Sequence, residues 1–244
     1  MKQILVPSGR RLVWYLALEE YLAAHVKEEL LFGWIVPPTV IFGRHQVMQN
    51  EVNVPWCQEH GVQMYRRKSG GGCVYADTGN LMLSYISPSQ HSEEVFLHYL
   101  DFVSEALRAI GYPAVTSEHN DILVNGRKVS GNACYALPTG TIVHGTMLWD
   151  VDFAALQQAI TPSREKLAKH GVESVRQRVA NLKTVLLEGA VCAGRQEQVT
   201  DTAGLMRRMF ALMCSSQEAL SPQDVQAVDI LERDYLDPAF ITAL

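Results

Sequence analysis

A short segment, Arg66 to Gly72, limits the architecture of this chain more than any other feature. It places two arginines, a lysine, a serine and three consecutive glycines between two apolar stretches. Glycine adopts positive φ angles readily and carries no Cβ, so such a run lets main-chain N–H groups approach an anion. Arginine and lysine bind phosphate or carboxylate. The segment therefore predicts a strand, a tight turn and a strand beside an anion, although a solvated hairpin tip would give the same pattern.

Two further polar stretches lie beside predicted strands. Asn125-Gly126 separates two apolar runs and is a strong hairpin signal. The return strand carries Lys128 two residues past that turn. A third stretch begins at His144 and ends in the carboxylates of Asp150 and Asp152. Cations with few counter-charges are costly to bring together without an anion to hold, so these turns favour an anion-binding site.

The hydrophobic spacing predicts an α+β fold, with a largely antiparallel mixed sheet flanked by helices, because most strands precede most helices. An amphipathic helix is predicted at 11–24, and an edge strand or a strand with a broken start at 34–42, around a double proline. Other strands are predicted at 62–66, 73–76, 80–87, 121–124, 127–136 and 140–149. Other helices are predicted at 92–110, 153–160, 164–170, 175–182, 200–214 and 222–233.

The composition describes an ordinary globular protein, with 48% hydrophobic residues and a net charge of −5 over 244 residues. This mild acidity does not favour nucleic acid or anionic membranes, which bind broad basic surfaces. No apolar run reaches the roughly 18 residues that cross a bilayer, and residues 1–13 do not form a signal peptide. The five cysteines include no Cys-x-x-Cys pair. We therefore expect a cytoplasmic protein with reduced thiols and no structural metal.

The polar stretches are similar to motifs of the lipoate-protein ligase A family. The family patterns are Arg-Arg-x-Ser-Gly-Gly-Gly-x-Val-x-His-Asp-x-Gly-Asn, then Asn-Asp followed by Gly-Lys/Arg-Lys-(apolar)-Ser-Gly-x-Ala, then His-Gly-Thr. This chain matches them at 66–80, 120–133 and 144–146, with Ala76 in place of the histidine before the aspartate. Residues 16–20, 43–46 and 174–182 also resemble family segments. The resemblance covers roughly residues 10–185 and implies the biotin/lipoyl-ligase catalytic fold.

The resemblance implies an enzyme that uses ATP and Mg²⁺ to activate lipoate or octanoate as an acyl-adenylate. The acyl group then passes to a lysine of a lipoyl carrier domain, in the E2 subunit of a 2-oxoacid dehydrogenase or the glycine-cleavage H protein. Well-known members carry a small accessory domain after the catalytic one. Here we expect a single catalytic domain over residues 1–244 without it, and some short ligases need a separate small partner protein for adenylation.

The resemblance also assigns roles to residues. Lys128 falls on the family's essential lysine, and we expect its ammonium group to contact the α-phosphate and the acyl oxygen. Asn120 and Asp121 are the candidates for the nucleotide, and Asp121 is also the candidate for Mg²⁺. The remaining candidates for substrate and phosphate are Arg66, Arg67, Ser69, Gly70, Gly71, Gly72, Asp77, Asn80, Gly131, His144, Gly145 and Thr146.

Several of these residues have a structural alternative. Two adjacent arginines on a strand alternate faces, so only one would point inward, and we favour the second, with Ser69, for direct contact. Asp121 could instead cap a turn. His144 could line the acyl site or be a core histidine with satisfied hydrogen bonds. Asp77 and Asn80 could simply hold their turn.

The eight-carbon lipoyl tail requires an apolar slot, since each buried methylene contributes about 0.8 kcal/mol. Leu16, Val74 and Met147 are candidates for its lining, although core packing alone would explain them. Such a slot between sheet and helix would favour lipoate or octanoate over short acids.

Two other functions remain open. An ATP-independent transferase that moves octanoyl or lipoyl groups between carriers would need a thiolate in the acyl pocket. In cysteine-dependent relatives that thiol sits near residues 119–121, where this chain has none, and Cys73 and Cys134 are better explained as buried thiols. A non-catalytic lipoate-binding module is the second alternative, and the presence of Lys128 does not favour it.

Overall fold

An eight-stranded sheet forms the centre of the computed structural model, which describes residues 1–118, 120–160, 179–188 (without the side chains of 186–188) and 199–243. The strand order is β11-β1-β2-β6-β10-β9-β8-β7. The strands of this sheet are β1 Lys2–Leu5, β2 Leu30–Trp34, β6 Asn80–Ser87, β7 Ala114–Thr116, β8 Asp121–Val124, β9 Arg127–Leu137, β10 Gly140–Leu148 and β11 Ser216–Ala219. Pairing is antiparallel except for β1, which pairs in parallel with β2 and β11.

The central hairpins form where the sequence predicts them. Asn125 and Gly126 adopt φ angles of 51° and 74°, the left-handed conformation that a two-residue turn between twisted strands requires. A second turn at 138–139 joins β9 to β10. The first hairpin brings Lys128 back along β8, so the candidate lysine lies on a strand with a defined register.

A smaller three-stranded sheet holds the glycine-rich turn. Its strands are β3 Thr39–Phe42, β4 Gln63–Arg66 and β5 Val74–Ala76, in the order β4-β3-β5. The single strand expected at 34–42 is therefore wrong: β2 ends at Trp34 in the large sheet, and Pro37-Pro38 separates it from β3. Since β3 is the middle strand of its sheet, the edge alternative is also wrong, whereas the break expected at the double proline is present, because β3 begins directly after Pro38. The glycine run connects β4 to β5.

Helices cover both faces of the large sheet. The helices are α1 Leu12–His25, α2 Met48–Glu51, α3 Val54–Glu59, α4 Ser92–Ile110, α5 Phe153–Ala159, α6 Leu182–Glu188, α7 Thr202–Met213, α8 Pro222–Leu236 and α9 Pro238–Thr242. Helix α1 packs on one face with α8, and α4 and α7 pack on the other. Among the described residues, no helix is long and apolar enough to cross a membrane.

Strands β1, β7 and β11 were not predicted, because their residues lack a clear alternating pattern and β11 is exposed throughout. The helix expected at 175–182 is wrong in its described part. Val179 forms an isolated bridge with Lys128, the amide of Ala180 donates to the carbonyl of Lys128 at 2.9 Å, and α6 begins only at Leu182. The helix expected at 164–170 lies outside the described residues.

Asn181 connects this segment to the end of the large sheet. Its buried side chain accepts from the amide of Val151 and donates to the same residue's carbonyl, both at 3.0 Å.

We expect Asn181→Ala to leave both main-chain groups of Val151 without these partners and to lower the free energy of unfolding by about 2–4 kcal/mol. Urea unfolding measures this change. The control Asn50→Ala, at an exposed position of α2, should change it by less than about 0.5 kcal/mol, and equal effects would contradict the assigned role.

Candidate functional site

Arg66 is buried at the end of β4, with 2% of its surface exposed. Its Nη1 donates to three main-chain carbonyl groups in the 43–46 turn, at 2.7 to 3.3 Å. Its Nε and Nη2 donate to the carbonyls of Ile241 and Ala243. The guanidinium carbon lies 4.8 Å from the centre of the Phe42 ring. Arg66 therefore joins the turn after β3 to the C-terminal helix α9.

Arg67 organises the glycine run itself. It is 5% exposed, and its Nε and Nη2 donate to the carbonyl of Gly70 at 3.1 and 2.7 Å. Nη2 also donates to the carbonyl of Gly72 at 2.7 Å, and Nη1 donates to that of Ile41 at 3.3 Å. Burial lowers the pKa of Arg67 to about 10, so the group remains charged at neutral pH.

Both arginines point inward, so the expected alternation is wrong: β4 ends at Arg66 and the chain turns before Arg67. In the part of the chain that the structure describes, neither guanidinium group forms an ion pair with a carboxylate. Carbonyl oxygens satisfy N–H donors but carry no full negative charge. Two positive charges therefore remain on adjacent residues, and that of Arg67 lies beneath the glycine run, which suits an anion above it.

Lys128 lies on the strand after the first hairpin, where a β-bulge at Val129 shifts the register of β9 against β8. Its Nζ is 2.8 Å from Oδ1 of Asp121. The side chain passes over Gly131, where an added Cβ would lie 2.9 Å from both Cε and Nζ. The amide of Gly131 donates to the hydroxyl of Thr146 at 3.3 Å. Gly131 thus provides the space through which the ammonium group reaches the site.

Asp121 and Asn120 lie at the start of β8. The pairing of Asp121 with Lys128 favours a role at the site over the turn-capping alternative. Asn120 has a φ of 64° and an exposed side chain, and its carbonyl accepts from Nδ2 of Asn132 at 3.0 Å. Across the described ranges, no group of three or more acidic, histidine or cysteine side chains could hold a metal ion. Asp121 is therefore a single carboxylate without a metal-binding cluster.

The ring of His144 joins the glycine run to helix α1. Its Nε2 lies 2.8 Å from Oγ of Ser69, and its Nδ1 lies 2.9 Å from Oε2 of Glu19. The other Glu19 oxygen accepts from the hydroxyl of Ser84 at 2.6 Å, and Ser84 accepts from Nε1 of Trp34 at 2.9 Å. Both ring nitrogens of His144 have partners, and one of those partners is itself a candidate site residue.

Asp77 holds its turn, as one alternative expected. Its carboxylate accepts from the amides of Gly79 and Asp152 at 2.8 and 3.0 Å. Asn80 differs, because its amide group is fully buried and neither its nitrogen nor its oxygen has a hydrogen-bond partner among the described residues. By strand alternation it lies on the same face of β6 as Ser84. A buried amide without partners is suited to contact a ligand.

Gly145 makes room for a neighbouring side chain on the opposite face of the sheet. A Cβ at this position would lie 1.9 Å from Oδ1 of Asn132 and 2.8 Å from the hydroxyl of Tyr99. Asn132 can therefore lie against β10 and hold the carbonyl of Asn120. Gly145 acts on the site through this packing, whereas the side chains of His144 and Thr146 lie on the α1 face.

The expected apolar lining is partly wrong. Leu16 and Val74 belong to the cluster between α1 and the sheet, but Met147 packs in the cluster on the other face, because it alternates with His144 along β10. Cys134 donates to a main-chain carbonyl at 3.9 Å, and burial raises the pKa of its thiol. Cys73 is half-buried at the end of the glycine run.

Two adjacent acids of α1, which are not among the expected site residues, contact the glycine-rich segment. Glu19 reaches Ser69 through His144, and Glu20 lies 2.8 Å from Nζ of Lys68. A signal for Glu19 was present: it follows Leu12 and Leu16 at helical spacing, so an acid occupies the apolar face of the helix. A lone carboxylate on such a face needs a partner from elsewhere in the fold.

Comparison with known proteins identifies the family. The profile of the lipoyl protein ligase A/B catalytic domain matches residues 13–201, more than half of the chain. The chain belongs to this family. Relatives include lipoate-protein ligase LplJ of Bacillus subtilis, which is 36% identical over 174 residues, 70% of this chain and 53% of the relative. Lipoate–protein ligase 1 of Staphylococcus aureus is 35% identical, with the same two shares. The chain thus spans about half the length of these relatives.

Solved structures confirm the α+β fold of this lipoyl protein ligase A/B domain. A bi-partite lipoate protein ligase from Thermoplasma acidophilum, described with its E2 lipoyl domain, has a TM-score of 0.81 at 22% identity, over 100% of this chain and 96% of its own. A lipoate-protein ligase A bound with ATP has a TM-score of 0.79 at 22% identity, over 100% and 99%. At these identities the likeness concerns the fold alone.

The fold places most candidate residues of this family member on the α1 face of the sheet or in the glycine run beside it. The sheet supplies Asn80, Lys128, Gly131, His144 and Thr146, and the glycine run supplies Ser69, Gly70, Gly71 and Gly72. Arg67 supports the run from beneath, whereas Arg66 holds the turn at 43–46. Asp77 and Gly145 instead act through neighbouring residues.

Gly71 and Gly70 differ in whether an alanine can replace them without backbone strain. Gly71 has a φ of 91°, and a Cβ there would lie 2.9 Å from Nη2 of Arg67, whereas a Cβ on Gly70 would meet no atom within 4 Å. We expect Gly71→Ala to lower the free energy of unfolding by about 1–2 kcal/mol. The matched control Gly70→Ala should change it by less than about 0.5 kcal/mol. Urea unfolding of both variants measures the difference, and equal values would refute the assigned loop conformation.

Proposed function

We propose that this protein is a lipoate-protein ligase that activates lipoate or octanoate with Mg-ATP and transfers the acyl group to a lysine of a lipoyl carrier domain. The observation that carries the proposal is the pair of buried guanidinium groups of Arg66 and Arg67, the second of which lies beneath the glycine run. They have main-chain partners but no carboxylate among the described residues, and the lysine of the site lies on the adjacent sheet face. The names of the relatives support the same activity.

The glycine run is suited to a phosphate or a carboxylate. The carbonyls of Gly70 and Gly72 point toward Arg67. In a trans peptide unit the N–H group points opposite to the carbonyl, so the amides of Gly71 and Cys73 point away from that guanidinium. A negative group on the outer side of the run would meet oriented N–H groups, with the positive charge of Arg67 behind them.

The proposed reaction has two steps. An oxygen of the lipoate carboxylate attacks the α-phosphorus of ATP, and pyrophosphate leaves. The carrier lysine amine then attacks the acyl carbon, loses a proton, and AMP leaves as the amide forms. Negative charge grows on the α-phosphate in the first step and on the acyl oxygen in the second. A positioned ammonium group stabilises both, which is the role we assign to Lys128.

Lys128 pairs with Asp121 at 2.8 Å, and we infer that it exchanges this partner for the phosphate when nucleotide binds. Asp121 would then be available for Mg²⁺. A single carboxylate fits an ion that arrives with the nucleotide, because Mg²⁺ in such sites takes one or two carboxylates and completes its shell with phosphate oxygens and water. Bound Mg²⁺ would supply charge neutralisation of the phosphates.

The proposed partners follow from the same assignment. The acceptor would be a lipoyl domain of a 2-oxoacid dehydrogenase E2 subunit or the glycine-cleavage H protein. The Thermoplasma neighbour is described as a bi-partite lipoate protein ligase. We therefore propose that a separate accessory polypeptide assists adenylation. We place the reaction in the cytoplasm, where the thiols of the four described cysteines would stay reduced.

The first test measures lipoate-dependent exchange of pyrophosphate into ATP. We expect Lys128→Met to lower the exchange rate at least about 100-fold, because it removes a cation at the developing charge. Lys183→Met is the matched control: it removes the same group from an exposed pair with Asp150, 48% and 50% exposed, and should retain the wild-type rate. An active Lys128→Met variant would overturn the assigned role.

The second test supplies preformed lipoyl-AMP and an acceptor lipoyl domain, with the acyl mass increment on that domain as the readout. Acylation from lipoyl-AMP without ATP-driven exchange would indicate that a separate polypeptide completes adenylation. Failure of both half-reactions would refute the ligase assignment.

The transferase alternative predicts a different result. We expect Cys73→Ser and Cys134→Ser to retain most of the acylation activity, since burial keeps the Cys134 thiol protonated. The readout is the same acyl mass increment, with ATP present and absent. Acyl transfer between carriers without ATP, lost in either serine variant, would instead establish a thiol-dependent transferase.

A further inference from the structure

Glu19 is a buried carboxylate that the proposed reaction does not use. Its side chain is 3% exposed and lies on the face of α1 that packs against the sheet. Both of its oxygens are engaged, one by the hydroxyl of Ser84 at 2.6 Å and the other by Nδ1 of His144 at 2.9 Å. A buried carboxylate is costly without strong donors. Glu19 therefore needs these partners, and they in turn are fixed by it.

The charge on Glu19 determines which nitrogen of His144 carries hydrogen. An ionised carboxylate only accepts hydrogen bonds, so Nδ1 must be the donor in this contact. Nε2 is then the nitrogen that faces the hydroxyl of Ser69, at 2.8 Å. Without the carboxylate, a neutral imidazole could place its hydrogen on either nitrogen. The contact therefore fixes both the tautomer and the plane of the ring.

Ser69 is the residue through which this arrangement reaches the glycine run. It is buried at the start of the glycine run, and in the described chain its hydroxyl has the His144 ring as its hydrogen-bond partner. The neighbouring Lys68 is held by Glu20, the next residue of α1, at 2.8 Å. Two consecutive acids of one helix thus hold two consecutive residues that lead into the exposed Gly70.

We propose that Glu19 is a positioning residue: through His144 it sets the direction of the Ser69 hydroxyl and the position of the glycine run that receives the acyl substrate. This inference rests on the proposed function, because the substrate is taken to be lipoate. The carboxylate itself acts through the imidazole and touches no reacting atom.

Glu19→Gln is the informative variant, because it removes the charge while keeping the shape. The control is Glu232→Gln, another buried glutamate, which pairs with Arg11 at 3.0 Å on the far side of α1. We expect Glu19→Gln to weaken lipoate binding, measured by calorimetry, about fivefold to tenfold, since a hydrogen bond to a charged acceptor becomes one to a neutral acceptor. Glu232→Gln should leave the binding constant within about twofold.

Nitrogen NMR of ¹⁵N-histidine-labelled protein without substrate gives a readout that a general structural role would not change. The His144 signals are assigned by their loss in His144→Ala. We expect the wild-type ring and the Glu232→Gln ring to carry hydrogen on Nδ1, and the Glu19→Gln ring to show a mixture of tautomers. Ser69→Ala combined with Glu19→Gln should bind lipoate no more weakly than Ser69→Ala alone, because both substitutions interrupt the same series of hydrogen bonds from Glu19 through His144 to Ser69.

The outcomes separate this inference from the proposed function. An unchanged tautomer, or additive effects of the two substitutions, would overturn the positioning role even in an active ligase. Conversely, if wild-type protein bound no lipoate and formed no lipoylated carrier, the proposed function would fail. The tautomer shift would then support only the coupling of Glu19 to His144, and the claim about the substrate would be refuted with the function.

Discussion

Two desolvated guanidinium groups, whose N–H groups donate to main-chain carbonyls, determine how the rest of this site is built. Water would solvate them better than carbonyl oxygens can, so their burial is unfavourable unless every N–H donor finds an acceptor. The turn at 43–46, the glycine run and the end of α9 supply these acceptors to Arg66 and Arg67. Segments that are distant in sequence meet around the two arginines for this reason. The positive charge that remains is what makes the location useful to an anionic substrate.

The glycine run is fixed at its edges and open at its centre. Arg67 holds the carbonyls of Gly70 and Gly72 from inside, while helix α1 holds the residues before them through two carboxylates. Gly70 and Gly71 remain exposed between these supports. A loop held in this way loses little conformational entropy when a ligand binds, because its backbone is already ordered. The glycine run is therefore held rigidly and still lets its exposed backbone come close to a ligand.

Local signals were sufficient for much of the architecture. The turn at 125–126 and helix α4, whose bounds Ser92–Ile110 agree with the expected ones, depend on residues close in sequence. The parallel pairing of β1 with β11 joins residues more than 200 positions apart, and no local pattern indicates it. The same limit applies to the site. Motifs gave Lys128, the glycine run and an inward Arg67, but the burial of Arg66 beside it and the contact of Glu19 with His144 depend on where β4 ends and where α1 packs. For Glu19, only its place on an apolar helix face gave a hint.

The contact of Arg66 with α9 bears on how the molecule is completed during synthesis. The carbonyls of Ile241 and Ala243 are two of the acceptors that this guanidinium group needs. On the ribosome, residues 43–80 emerge long before α9, so water must solvate Arg66 until these two carbonyls can replace it. Strand β1 likewise cannot form its pairing with β11 until that later strand has been synthesised. The turn at 43–46 and the glycine run beside it would accordingly reach their anion-binding arrangement only after α9 has left the exit tunnel.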